Sequence, residues 1–255
     1  MVNGQGPFRF VVDTGANRSV LSQRLADSLG LIPIGMNDVH TIDSVQLAPM
    51  VRVDSISYGS VEVNDQSVPI LDGPMLGGEQ GLLGVDGMGG KRLRLDFDQR
   101  CIEIIPAHTA PVLRGWVHLR GKLRFGHLVV VPGHVGDTRV NVLIDTGSDV
   151  SLANTAFRTV MQRVWFDRET QNLIVAYTTG RPIQLNNAII LPELGLGDVA
   201  ITNMTLFTGD FHVFHVWGMT DEPTILVGMD VLSRTHAISI DYERATVYLR
   251  LPHTF

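Results

Sequence analysis

Short runs of apolar residues, with polar residues at alternate positions, recur along most of the chain and predict β-strands. Val, Ile, Leu and Thr dominate these runs, and turn-forming residues separate them roughly every 8–12 positions. Helix is predicted only at residues 19–30, at residues 151–164 and for a turn or two at residues 229–234. The pattern therefore predicts an all-β fold, mostly β with a few short helices.

Four sequence elements occur twice, in the same order, in the two halves of the chain. The repeated elements are a strand that runs into Asp-Thr-Gly (residues 10–22 and 142–154), a strand–glycine–strand unit (55–71 and 193–209), an apolar-apolar-Gly segment (81–88 and 225–232) and a hairpin (93–104 and 238–249). A repeat of this length has the size of a domain rather than of a solenoid unit. We therefore predict an N-terminal lobe at residues 1–107, a linker at 108–115 and a C-terminal lobe at 116–255.

Composition and charge narrow the class of protein. Hydrophobic residues make up 44% and charged residues 18% of the chain, which is typical of a soluble globular protein. The net charge of −6 and the lack of a basic stripe argue against a nucleic-acid partner. Cys101 is the single cysteine, so no intramolecular disulfide can form, and its alternating segment predicts a thiol packed in the core. The compartment stays open, since an extracytoplasmic location in a bacterium would require an export segment ahead of Met1.

Each half places an aspartate directly after an apolar strand, Asp13 in the first half and Asp145 in the second. A carboxylate there is costly unless it is hydrogen-bonded or paired, and the glycine two residues later allows a tight turn whose amides can point at it. A pseudo-two-fold axis between the halves would bring the two carboxylates together. Two carboxyl groups roughly 3 Å apart share one proton, so one acts as an acid and the other as a base on a water between them. Such a pair needs neither a metal nor a cofactor, and none is expected.

These motifs resemble those of the retropepsin-like aspartic proteases of the pepsin/retropepsin clan, arranged as one chain with two fused retropepsin-like lobes. The resemblance depends on DTGA at 13–16, DTGS at 145–148, LLG at 82–84 and LVG at 226–228. It implies a bilobal acid-protease fold of two pseudo-two-fold-related β-barrel lobes. It also implies that Asp13 and Asp145 are the catalytic pair.

The resemblance gives supporting roles to the other residues of the two turns. The threonines are expected to brace the two loops against each other, and the glycines to supply the turn geometry. We expect the Ser148 hydroxyl to donate to the outer oxygen of Asp145 and to make Asp145 the more readily ionised of the pair. The supporting residues are Thr14, Gly15, Ala16, Thr146, Gly147 and Ser148.

Members of this family close their cleft with hairpin flaps, and each half has a candidate flap, at residues 38–50 and 174–187. The second carries Thr-Thr-Gly at its predicted tip, whereas the first has no glycine there. An extended peptide would lie between the lobes, with its backbone paired to flap strands and its side chains in mostly apolar pockets. An ordinary surface hairpin is the alternative for either segment. The candidate substrate-binding residues are Thr41, Ile42, Asp43, Tyr177, Thr179 and Gly180.

Other polar residues are given structural roles. His212 and His215 are predicted on a strand, where a spacing of three places them on opposite faces and disfavours a metal site. Predicted helix caps are Asp86 and Asp230, and predicted turn or surface residues are Asp96, Asp98 and Asp241.

The sequence therefore predicts a monomeric aspartic endopeptidase that forms an intramolecular pseudo-dimer and acts on a polypeptide substrate. Two alternatives remain. One is a catalytically silent module of the same fold that binds extended peptides. The other is a highly restricted processing protease that cuts one partner or itself.

Overall fold

A computed structural model of the chain describes residues 1–71, 78–125, 128–164, 169–170, 174–177, 182–185 and 188–252, and gives the backbone alone between 163 and 183. The protein is mostly β, as the alternating pattern predicts. The strands of the first half are β1 (Phe10–Val12), β2 (Val20–Leu21), β3 (Pro33–His40), β4 (Val45–Tyr58), β5 (Val61–Pro69), β6 (Gly81–Leu83), β7 (Lys91–Asp96) and β8 (Cys101–Pro106). The strands that follow are β9 (Val117–Arg120), β10 (Lys122–Arg124), β11 (Leu128–Val135), β12 (Thr138–Ile144), β13 (Leu152–Asn154), β14 (Glu169–Thr170), β15 (Ile174–Tyr177), β16 (Pro182–Leu185), β17 (Ala188–Leu196), β18 (Val199–Gly209), β19 (Thr224–Val227), β20 (Ala237–Asp241) and β21 (Thr246–Arg250).

In the described residues, helix occurs only in short segments. They are α1 (Gln23–Ser28), α2 (Thr155–Val164), α3 (His212–Val216), α4 (Met229–Leu232) and a 3-10 turn at Ala107–Thr109. The first two helices start later than predicted, because the residues just before them pair as β2 and β13. The prediction of a strand at His212 and His215 was wrong, since both lie on α3. Within the described ranges, no helix is long and apolar enough to cross a membrane.

The same three-strand crossing forms in each half around the apolar-apolar-Gly segment. In the first half β6 pairs in parallel with β1 and antiparallel with β2. In the second half β19 pairs in parallel with β12 and antiparallel with β13. A Cβ atom at Gly84 would lie 2.5 Å from the carbonyl carbon of Arg18, and one at Gly228 would lie 2.5 Å from the carbonyl oxygen of Val150. Both positions therefore need glycine, because the chain leaving each Asp-Thr-Gly turn lies directly against them.

The two strand–glycine–strand units are also equivalent hairpins, as predicted. Gly59 lies between β4 and β5, and Gly197 lies between β17 and β18, each with a φ of +56°. This left-handed conformation favours glycine, which explains why the sequence marks both turns so clearly.

Strands from the two halves share a five-stranded sheet in the order β8-β7-β20-β21-β9. At its centre β7 pairs antiparallel with β20, with Leu93 opposite Ile240, and both side chains are buried. The proposed linker at 108–115 contains no strand, and its boundaries stay a prediction. The shared sheet fixes the two halves relative to each other, which matters for a site built from both.

Asp96 and Asp241 are buried in this sheet and are not surface residues, although each accepts a hydrogen bond from an amide of the turn that follows its strand. Asp98 is an exposed turn residue, as predicted. Arg92 Nη2 lies 2.9 Å from Asp241 Oδ2, and Arg250 Nη2 lies 3.1 Å from Asp96 Oδ1. Arg94 adds a second contact to Asp96 at 2.6 Å. The arginines compensate the charge of the buried carboxylates. Alternation along one strand does not show which charged residues of a neighbouring strand lie beside it.

Cys101 is exposed, so the prediction of a core thiol was also wrong. The residue opens β8, which is the edge strand of the five-stranded sheet. Alternation predicts which residues share a face of a strand, but it does not tell whether anything covers that face.

Candidate active site

Asp13 and Asp145 each follow the last residue of a strand, β1 and β12 respectively. The amide of Asp13 donates to the carbonyl of Leu83 at 2.9 Å, and the amide of Asp145 donates to the carbonyl of Val227 at 3.0 Å. Leu83 and Val227 are the last residues of the two central crossing strands. Each aspartate is therefore held at the point where its strand leaves the crossing.

The two carboxylates lie against each other's turns. A Cβ atom at Gly15 would lie 2.7 Å from Cγ of Asp145, and one at Gly147 would overlap the carboxylate of Asp13. The Oδ1 atom of Asp13 also accepts hydrogen bonds from the amides of Gly15 (2.8 Å) and Ala16 (3.0 Å). Oδ1 of Asp145 accepts one from the amide of Gly147 at 2.8 Å. The glycines are needed because any side chain would occupy the space of the opposite acid.

The threonines of the two turns make reciprocal hydrogen bonds. The Thr14 hydroxyl donates to the carbonyl of Ile144 at 2.7 Å, and the Thr146 hydroxyl donates to the carbonyl of Val12 at 2.7 Å. Each hydroxyl also accepts from the other threonine's amide, at 3.1 and 3.2 Å. These four bonds cross from one half to the other and fix the spacing of the two aspartates.

Burial raises the pKa of both carboxyl groups above the ordinary value for aspartic acid. The nearby charge and the hydrogen bond of Asp145 raise the pKa of Asp13 further. The Gly147 amide and the hydrogen bond from Asp13 work against the shift at Asp145. The pair therefore retains one proton to a higher pH than two separate aspartates would.

Ser148 does not act on Asp145 as the sequence analysis expects. Its hydroxyl donates to the carbonyl of Val150 at 2.7 Å, which uses the one proton that it has. The expectation was wrong because the carbonyl two residues along competes for that donor.

A repeated serine–aspartate contact behind each turn was missed. The Ser19 hydroxyl donates to Asp86 at 2.8 Å, and the Ser151 hydroxyl donates to Asp230 at 2.7 Å. Both hydroxyls also accept an amide, from Gly84 and Gly228 respectively.

Asp230 is therefore not a helix cap, since α4 is capped by Gly228 without a side-chain hydrogen bond. In both halves the serine stands six residues after the turn aspartate, and the second acid stands two residues after the glycine. This repeated spacing was the signal that could have revealed the contact.

A cavity of about 340 Å³ opens beside the two aspartates. Its lining is mainly apolar, with a few charged side chains. Apolar lining residues include Val20, Val39, Ile42, Met50, Leu71, Leu82, Val213, Val216, Trp217 and Leu226, and charged ones are Asp13, Arg18, Asp38 and Asp145. Such a lining suits apolar side chains of a ligand held close to the acid pair.

The first predicted flap is a hairpin of β3 and β4, with its tip at residues 41–44. Thr41 and Ile42 line the cavity. The Asp43 carboxylate instead accepts from the hydroxyls of Thr41 (3.0 Å) and Ser44 (3.1 Å) and so stiffens the tip. The hairpin therefore forms without a glycine at its tip.

The second predicted flap is described only in part. β15 and β16 pair antiparallel, with Tyr177 opposite Pro182. Thr179 and Gly180 lie outside the described residues, and Tyr177 is described by its backbone alone. The candidate roles of these three residues stay predictions.

Helix α3 was missed as part of the cavity. Val213 and Val216 of this helix line the cavity together with the buried Trp217 that follows it, and the helix contacts the tip of the first flap. The segment is too short for helical periodicity to show, although its apolar residues at 213, 216 and 217 match one helical face. In the described part of the chain, no group of three or more His, Cys, Asp or Glu side chains is placed to hold a metal ion.

Comparison with known proteins finds a family model and a solved structure that are similar to parts of this chain. Residues 1–86 match the model of the family described as aspartyl protease. A retropepsin-like aspartic protease from Rickettsia conorii is 19% identical, over 54% of this chain and 90% of its own, with a TM-score of 0.34. A similarity that low carries no argument here, and no curated protein matches the chain significantly. Residues 1–86, which match the aspartyl protease family, contain the whole first crossing, and the second half of the chain repeats that crossing.

Proposed function

We propose that the protein is an aspartic endopeptidase that hydrolyses peptide bonds with a water activated between Asp13 and Asp145. The observation that carries this proposal is the contact of each carboxylate with the other half's turn. Two buried acids in that arrangement share a proton, which provides an acid and a base at one place. The family match at residues 1–86 supports the same chemistry.

The proposed reaction uses the pair in both protonation states. The ionised carboxylate removes a proton from the water, whose oxygen attacks the peptide carbonyl carbon. The protonated carboxyl group donates its proton to the carbonyl oxygen, which gives a neutral tetrahedral diol. Breakdown returns a proton from the diol through a carboxylate to the leaving nitrogen, breaks the carbon–nitrogen bond and restores one shared proton. No covalent enzyme intermediate is formed.

We propose that the substrate is an extended polypeptide bound in the cavity beneath the first flap. The apolar lining favours hydrophobic side chains next to the bond that is cut. The exposed edge of β3 leaves backbone groups with which a peptide could pair. We propose that the protein acts as a monomer, because the two halves of one chain contribute one aspartate each. The boundary between the halves is proposed at residues 108–115.

The test is cleavage of a peptide library between pH 3 and 8 by the wild type and by Asp13→Asn and Asp145→Asn. We expect either substitution to lower kcat/KM by roughly 10²–10⁴-fold, since an amide cannot replace the carboxyl group as an acid or a base. The matched control is Asp149→Asn, which changes an exposed acid in the same loop. Its activity should equal that of the wild type.

The outcomes separate the alternatives. Equal cleavage by the wild type and both aspartate variants would rule out the proposed mechanism. Binding of library peptides without cleavage would indicate a silent binding module. Cleavage at one narrow motif would indicate a restricted processing protease. Because the pair keeps its last proton to a raised pH, activity should fall on the alkaline side as that proton is lost.

A further inference from the structure

Two histidines from distant parts of the chain meet at the mouth of the cavity. His40 is the last residue of β3 in the first flap, and His212 is the first residue of α3. Nδ1 of His40 lies 2.8 Å from Nε2 of His212, which is a hydrogen bond. The ring centroids are 5.1 Å apart and the ring planes 17° apart, so the rings lie nearly coplanar and edge to edge, as an in-plane hydrogen bond requires.

A second bond joins the same two elements. The carbonyl of Ile42 at the flap tip accepts from the amide of Val213 at 3.2 Å. Ile42 also packs against the main core together with Val213 and Val216. The flap tip is therefore attached to α3, directly over a cavity that contains both aspartates.

We propose that His40 and His212 are positioning residues that hold the first flap closed while one ring is neutral, and that release it when both are protonated. An imidazole–imidazole hydrogen bond needs one N–H donor and one unprotonated nitrogen as acceptor. When both rings carry a proton on each nitrogen, no acceptor is left and the two positive charges repel each other. Histidine is the side chain whose charge ordinarily changes between about pH 5 and 8, and this range sets the pH values of the test below.

The other charged groups around the pair act on this equilibrium. On the α3 side His215 is bound to Asp210 at 2.6 Å. On the flap Asp38 lines the cavity, and Asp43 is engaged with the tip hydroxyls. Arg18 and the two aspartates line the same cavity. All of these groups are unchanged in the His212 variants below, and only the control changes one of them, His215.

The inference rests on the proposed function, because it assigns the flap a role in admitting the substrate. Opening at low pH would coincide with the range in which the aspartate pair holds its shared proton. Substrate entry and acid–base chemistry would then respond to pH in the same direction.

Hydrogen exchange of the flap amides tests the pair without any need for catalysis. The exchange of residues 38–44 is followed by mass spectrometry from pH 5 to 7.5 and corrected for the intrinsic rate. In the wild type we expect protection at pH 7.5 that falls about tenfold by pH 5. In His212→Ala, protection should be low throughout. In His212→Gln it should persist at pH 5, because the amide oxygen accepts from a protonated His40.

His215→Gln is the control, because it changes a histidine on the same helix that has no contact with the flap. It should behave as the wild type does. Wild-type protection that does not change with pH, or a His215→Gln effect as large as that of His212→Ala, would overturn the inference. If wild-type flap protection does not change with pH but the protein still cleaves peptides, only the role of the histidine pair is refuted. If flap protection changes with pH as expected but no peptide is cleaved, only the proposed function is refuted.

The association rate of a statine-containing peptide gives a second measurement. At pH 7.5 we expect His212→Ala to bind about tenfold faster than the wild type, because its flap is already released. At pH 5 His212→Gln should bind about tenfold more slowly than the wild type, because its flap stays attached. Equal association rates for all three proteins at both pH values would contradict the proposed role.

Discussion

Gly15 and Gly147 show at the scale of single residues why the aspartate pair can form. Neither turn has room for a Cβ atom, because the opposite carboxylate occupies that space. Glycine in an Asp-Thr-Gly turn is commonly explained by backbone conformation. In this protein neither residue has a positive φ, so the requirement comes from the close approach of the other half.

We predict that Gly15→Ala lowers kcat by roughly 100-fold, since a displacement of about 1 Å at an acid–base pair has effects of that size. The added methyl group would push against the Asp145 carboxylate, which the Gly147 amide holds. Gly35→Ala is the control, because no atom lies within 4 Å of its Cβ position. Steady-state kinetics on one peptide substrate measures both, and equal kcat values would contradict the steric argument.

At this scale the sequence allowed the turn residues to be predicted, because Asp-Thr-Gly occurs twice after apolar strands. It did not allow the partner of the Ser148 hydroxyl to be predicted. A serine can donate to several nearby acceptors, and only the folded loop shows that the carbonyl of Val150 is closest. The buried states of Asp96 and Asp241 were missed for a similar reason, since Arg250 and Arg92, which bind them across the sheet, are distant in sequence.

At the scale of secondary-structure elements, Asn154 joins three parts of the second crossing. Its Oδ1 accepts from the amides of Phe157 (2.9 Å) at the start of α2 and Thr224 (3.1 Å) at the start of β19. Its Nδ2 donates to the carbonyls of Met219 (2.6 Å) and Glu222 (2.8 Å). One buried amide therefore caps a helix and fixes the loop that leads into the central crossing strand.

We predict that Asn154→Ala lowers the free energy of unfolding by about 2–4 kcal/mol. The helix cap contributes about 1 kcal/mol of this, and buried groups left without partners account for the rest. Asn141→Ala is the control, because its amide makes an exposed contact to Glu222. Urea unfolding measures both variants, and a change for Asn154→Ala no larger than that of the control would show that the amide bonds are replaceable.

Elements with a long or repeated pattern could be predicted, and short ones could not. The hairpins and both crossing strands follow alternation or glycine positions that the sequence displays twice. Helix α3 spans His212–Val216 and has less than two turns, so its apolar spacing also fits a strand. Contact with the first flap, which no local pattern encodes, fixes its place at the cavity.

At the scale of the whole molecule, the five-stranded sheet makes the two halves depend on each other. Arg92 from the first half binds Asp241 from the second with both side chains buried. Although burial alone would raise the pKa of Asp241, the Arg244 amide and the Arg92 and Arg244 guanidiniums hold it below its ordinary value. An acid with a lowered pKa stabilises the folded state above its unfolded pKa and loses that contribution as pH falls through its folded pKa.

We predict that Arg92→Ala destabilises the protein by about 3 kcal/mol at pH 7, because it leaves the buried Asp241 carboxylate short of a partner. The difference from wild type should shrink below about pH 4, where protonation removes the charge that Arg92 compensates. Arg52→Ala removes an exposed pair with Asp65 and should change stability by less than about 1 kcal/mol. Unfolding curves at several pH values test this, and a difference that grows on acidification would contradict the assigned sign.

The surroundings of the two Asp-Thr-Gly turns differ, and this difference bears on the orientation in which a peptide can bind. A homodimer with an exact two-fold axis must repeat every side chain, so a bound strand meets the same surface from either end. In this protein Ala16 occupies the position that Ser148 has in the other turn, and the first flap is hydrogen-bonded to helix α3. The two sides of the cleft are thus distinguishable, and we expect an extended peptide to bind there with one preferred N-to-C polarity.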